Sequence, residues 1–78
     1  MRTYKKYVFP NIIAEMVRNG DDIKSLANKM GIKKPYTLSM KLQGKSQFDL
    51  AEIHFLITLY GKNFDELFYD KRLEQQTA

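Results

Sequence analysis

Residues 22–45 read DIKSLANKMGIKKPYTLSMKLQGK, and this stretch decides the fold. Ile23, Leu26, Ala27 and Met30 fall at i, i+3, i+4 and i+7, the spacing of one buried helical face. Asp22 precedes them with a carboxylate able to accept from the free N–H groups of a first turn. Gly31 stops this helix, and Ile32 is expected to be buried in a very short turn. Pro35 opens the next helix, because its missing N–H would be unpaired at that position in any case. Leu38 and Leu42 are the inward anchors, and Gly44 closes the helix. Two anchors leave Tyr36, Thr37, Ser39, Met40, Lys41 and Gln43 to make up a wide outward side.

Working outward, Val8-Phe9-Pro10-Asn11 starts an earlier helix, with Ile12, Ile13, Met16 and Val17 as its apolar stripe and Gly20 as its stop. On the other side, Asp49-Leu50-Ala51-Glu52 has the capping-box pattern. Leu50, Ile53, Leu56, Ile57 and Tyr60 form the core face of that fourth helix, and Gly61 ends it. Asn63 caps a short fifth helix through Phe64, Leu67 and Phe68. The chain is therefore expected to be all-α with five helices. Residues 1–9 form an N-terminal arm or short strand, residues 10–69 the helical domain, and residues 70–78 a polar tail whose ending, Glu-Gln-Gln-Thr-Ala, frays.

Composition removes most catalytic classes. The 78 residues contain no cysteine and one histidine, so no thiolate nucleophile, disulfide framework or Cys/His metal site is expected. His54 reads as a surface residue, and Asp65 and Glu66 as acids favoured at a helix start rather than a catalytic pair. No enzyme activity, cofactor, metal or small-molecule substrate is expected. No apolar run is long enough for a membrane span and none reads as a signal peptide, so a cytoplasmic location is expected. The net charge of +4 is unevenly placed: residues 1–45 hold ten bases and three acids, residues 46–78 three bases and six acids. A split from +7 to −3 points to one end that meets an anion and one that does not.

Two short helices joined through a glycine turn suit a helix-turn-helix, whose second helix enters the DNA major groove. Residues 22–32 resemble the second helix and turn of lambda-repressor-like, Xre/Cro-type helix-turn-helix proteins. Residues 37–45 are similar to the recognition helix of that family and its Gly-Lys exit. Phe48-Asp-Leu-Ala-Glu-Ile53 and Tyr60-Gly-Lys-Asn-Phe-Asp-Glu-Leu-Phe68 are similar to its next helix and closing turn, and residues 7–16 to the openings of small phage regulators. The resemblance covers residues 8–68. It implies a sequence-specific double-stranded DNA-binding regulator, a repressor or Cro-like switch that occupies an operator as a homodimer.

Carried over by position, the resemblance implies that Tyr36, Thr37 and Met40 face base edges. Lys33 and Lys34 would reach a phosphate or a guanine, and Lys41, Gln43 and Lys45 would hold phosphates. Two departures leave the pairing of residue with base open. Ile23 stands where the family usually has a phosphate-binding glutamine, and Lys33 to Gln43 is one residue longer than the usual spacing. Arg2, Lys5 and Lys6 would belong to a basic arm along DNA, although the alternation of residues 3–9 equally suits an edge strand. Phe55 and Leu59 lie outside the core stripe of their helix. With Phe64 and Phe68 they are expected to form a dimer contact or to pack within the chain. The alternative function is a protein-interaction module, such as an antirepressor or antitoxin, that keeps the fold without reading DNA.

Overall fold

Two prolines and three side-chain caps set where the helices begin. Pro10 and Pro35 each occupy a first helical position. Asp22, Asp49 and Asn63 each accept, at 2.8 Å, the N–H of the residue three positions on. The computed structural model describes residues 6–73 and contains α1 (Pro10–Arg18), α2 (Ile23–Met30), α3 (Pro35–Leu42), α4 (Leu50–Tyr60) and α5 (Phe64–Leu67). Among the described residues there is no strand, and no helix is long and apolar enough to cross a membrane. The all-α expectation therefore holds. The capping box of α4 is present as read, and α2 has a second one in which Ser25 answers Asp22.

Every helix contributes to one core. Ile12 of α1, Leu26 of α2, Leu38 and Leu42 of α3, Leu56 of α4 and Leu67 of α5 are all fully buried. Each such side chain contributes about 1.5–3 kcal/mol relative to exposure. Phe9, Phe48 and Phe68 close the core on one side as a mutual edge-to-face triad, with ring centroids 5.4–5.9 Å apart. The turn between α2 and α3 is short because Gly31 takes a left-handed conformation (φ +77°), and α2 and α3 pack directly on each other.

Four local readings are corrected. Val17 is 59% exposed and Glu15 is buried. At about 100° per residue, Glu15 lies on the same side of Ile12 and Met16 as the core, and Val17 turns past its edge. Glu15 is tolerated there because Arg18 pairs with it and the Lys62 ammonium approaches to 3.9 Å. Leu50, expected in the core, is 76% exposed at the first turn of α4. Residues 7–9 are neither strand nor free arm. Tyr7 and Val8 are buried, and Val8 donates to the Leu42 carbonyl and accepts from the Lys71 N–H, both at 2.9 Å. Residues 70–73, read as polar tail, are thus tied into the fold, and the ending expected to fray, residues 74–78, lies outside the described residues.

Asp21 joins α2 to α4. Its Oδ1 accepts from the Lys29 ammonium at 2.8 Å and the Ser25 hydroxyl at 2.9 Å, and its Oδ2 accepts from the Tyr60 hydroxyl at 3.1 Å. The side chain is only 4% exposed. The Lys29 ammonium holds the Asp21 carboxyl below the usual carboxylate range, against the opposing effect of burial and with help from the two hydroxyls. Burial, then the Asp21 carboxylate, push the Tyr60 phenol well up. Because the native Asp21 value lies below the unfolded one, its stabilisation is complete above about pH 4 and is lost as pH falls through the native value. Lys29 is half exposed, so the loss on mutation comes mainly from the buried partners. Asp21→Ala is expected to cost about 1–3 kcal/mol in urea unfolding, because it leaves the Tyr60 hydroxyl without its acceptor. Asp21→Asn is expected to shrink the stability difference between about pH 7 and about pH 3.

Candidate nucleic-acid interface

The inward stripe of α3 is Leu38 and Leu42, so its remaining residues are free to face elsewhere. Tyr36 is 69% exposed, Thr37 is exposed, and Met40 is half-buried. Lys33 and Lys34 stand exposed in the turn before the helix, and Lys45 stands exposed just after Gly44. At 1.5 Å per residue the helix separates these two basic ends by about 12 Å. Lys33, Lys34, Tyr36 and Thr37 are gathered at one end and Lys45 at the other.

Lys41 and Gln43 are used within the chain. The Lys41 ammonium donates to both Glu52 oxygens, at 2.5 and 2.6 Å, and its side chain is 14% exposed. Glu52 also accepts the Asp49 N–H at 2.9 Å, so one carboxylate caps α4 and ties the last turn of α3 to it. Gln43 donates to the Ser39 hydroxyl at 3.1 Å, and that hydroxyl also lies 3.3 Å from the Tyr7 phenol oxygen. The implied phosphate role of Lys41 would therefore compete with Glu52.

Ion pairing separates the cations into two groups. Arg18, Lys29, Lys41, Lys62 and Arg72 each pair with a carboxylate. Lys6, Lys24, Lys33, Lys34 and Lys45 form no ion pair among the described residues, and all but Lys6 lie on α2 or just outside α3. Lys24 was not singled out from sequence. It lies on the first turn of α2 and lines an open groove of about 540 Å³ with Lys33, Ser25, Asn28 and Pro35. Sequence spacing gives no signal for it, because Asp21 stands three residues before Lys24 and eight before Lys29, yet pairs with Lys29.

The remaining candidates divide similarly. Lys6 is exposed, with its ammonium 5.5 Å from the Tyr7 ring centroid, while Arg2 and Lys5 lie outside the described residues. Phe68 belongs to the intrachain aromatic triad, and Phe64, half exposed, stacks on it at 5.3 Å. Phe55 and Leu59 are 37% and 38% exposed. With Ala51, His54 and Thr58 they make a face of α4 that carries no Asp, Glu, Lys or Arg. His54 is on the surface, as expected. Comparison of the chain with protein-family models, with curated proteins and with solved structures finds no match.

The tie between Lys41 and Glu52 is open to a direct check. A double-mutant cycle with Lys41→Met and Glu52→Gln is expected to give a coupling of about 1–2 kcal/mol in urea unfolding, since both side chains are mostly buried. A coupling near zero would show that the pair does not hold α3 to α4.

Proposed function

We propose that this chain is a sequence-specific double-stranded DNA-binding transcriptional regulator of the phage repressor or Cro type. In this reading α2 and α3 act as a helix-turn-helix, with α3 in the major groove. The observation that carries it is a group of lysines around α2 and α3, Lys24, Lys33, Lys34 and Lys45, that no carboxylate neutralises among the described residues, whereas Arg18, Lys29, Lys41, Lys62 and Arg72 are each paired. Lysines on phosphates release counterions, and each phosphate neutralised adds about 0.9 to the salt slope of log affinity. Between the basic ends, the Tyr36 hydroxyl can donate or accept, and Thr37 and Met40 can pack on a thymine methyl. None of these makes the arginine–guanine or glutamine–adenine pair, so readout leans on apolar contact and DNA shape. No chemical step is assigned to the chain, and its place of action is the cytoplasm.

The uncharged face of α4 supports a homodimer. Two copies of a chain with net charge +4 meet with least repulsion through a surface that carries no charge. A two-fold pair would present two α3 helices to half-sites about 34 Å apart. The same face also favours the second reading, a protein-interaction module of the antirepressor or antitoxin kind.

Selection from randomised duplexes separates the two readings. One enriched operator is expected, bound with a salt slope of about 3–4 per protomer. Equal affinity for all duplexes, or none, would sink the regulator reading. Tyr36→Ala is expected to relax sequence preference by about 1–3 kcal/mol at one position, and Lys45→Ala to weaken binding evenly across sequences. Phe55→Glu is expected to halve the mass seen by light scattering.

A further inference from the structure

The last described residues return to the exit of α3. Arg72 spreads its guanidinium over Gly44, where an added Cβ would meet both Nη1 and Nη2 at 2.9 Å. Gly44 is left-handed at φ +78°, a conformation that favours glycine, and the arginine lies against the space a side chain would fill. Asp70 fixes the arginine: it accepts from Nε at 2.9 Å and from Nη2 at 2.5 Å, and its Oδ1 also accepts the Arg72 backbone N–H at 2.9 Å. Asp70 occupies the side edge of the guanidinium. The end edge, formed by one N–H of Nη1 and one of Nη2, makes no hydrogen bond among the described residues. The side chain is 50% exposed and lines one groove with Ser46 and Gln47, the residues just past Lys45.

We propose that Arg72 is a phosphate-binding residue, which with Lys45 makes a two-cation anchor for one backbone phosphodiester at the C-terminal end of α3. This rests on the DNA-binding reading and adds to it a contact from the far end of the chain. The end edge of a guanidinium presents two parallel N–H groups at the spacing of two phosphate oxygens, which a lysine cannot do. Asp70 holds that fork in place before binding, so less side-chain freedom is lost when a phosphate arrives. Because Asp70 cancels the charge of Arg72 at long range, the arginine contributes directed hydrogen bonds and little nonspecific attraction. Position along the backbone, rather than base identity, is what such a contact sets.

The test compares Arg72→Gln, Arg72→Lys and Asp70→Asn with the full-length chain, on the selected operator duplex and on scrambled duplexes over a salt series. Thermal melts confirm that each variant is folded under the binding conditions. Arg72→Gln is expected to weaken binding about tenfold on every duplex, with a shallower salt slope, and Arg72→Lys to recover part of it. Asp70→Asn, which removes a negative charge beside the phosphate, is expected to keep or raise the affinity. Opposite effects of Arg72→Gln and Asp70→Asn establish the anchor. Folded Arg72→Gln with unchanged affinity and slope overturns it. Equal weakening by Arg72→Gln and Asp70→Asn overturns it as well, making the pair a structural clasp. If the wild-type chain binds no duplex, the regulator reading itself fails before the variants are compared.

Discussion

α3 is held to the rest of the protein by Leu38 and Leu42, and the arrangement around it depends on those two side chains. A helix of eight residues does not persist alone in water, because the cost of its first turn is never recovered over so short a length. Two fully buried leucines contribute about 3–6 kcal/mol between them, enough to fix the helix against α2 and the core. The same economy leaves most of its surface uncommitted. Tyr36, Thr37 and the flanking lysines are presented outward because the core asks so little of α3.

Charge completes what the leucines begin. The chain divides into a basic first half and an acidic second half, and the simplest picture sets the acids at the far side, away from any polyanion. The structure instead puts several of those acids to use as partners. Glu52 takes Lys41, Asp70 takes Arg72, and the first-half acid Glu15 takes Arg18 and Lys62. Neutralisation is therefore local, and it leaves Lys24, Lys33, Lys34 and Lys45 uncovered around α2 and α3. The pattern of ion pairs is more informative about a binding surface than the net charge of either half.

What could be read from the residues was what depends on neighbours in sequence. Pro10 and Pro35, the caps Asp22, Asp49 and Asn63, and the i, i+4 leucines of α3 act within one or two turns, and each lies where it was read. The misreadings are all long-range. Val17 and Leu50 sit on apolar stripes, yet the core covers only part of each stripe, and periodicity alone does not say where its edge falls. Glu15 is buried beside both its near partner Arg18 and Lys62, which arrives from forty-seven positions away. Lys41 looks like an outward lysine until Glu52 is placed opposite. Residues 70–73 have tail-like composition, and only the backbone bond from Lys71 to Val8 reveals that they belong to the fold. The separation of paired from unpaired cations was invisible for the same reason.

The two ends of α3 are finished differently, and the difference follows from this long-range packing. A helix leaves its last four carbonyls without internal partners. In α3 each has one: Ser39 accepts from Gln43, Met40 from Lys45, Lys41 from Gly44, and Leu42 from Val8. The first three are local: the first is an ordinary helical bond, and the next two follow from Gly44 turning left-handed. The fourth comes from the N-terminal segment, which is itself held by Lys71. The C-terminal end of α3 is thus closed by both ends of the chain, with the Lys41–Glu52 pair alongside. At the other end, Pro35 needs no partner for its nitrogen and Lys34 supplies no side-chain cap. A short helix anchored firmly at one end and left open between lysines at the other is pre-set in position while its outward residues remain free. That combination is what reading a surface demands, because binding then loses little freedom in the backbone while the side chains still adapt.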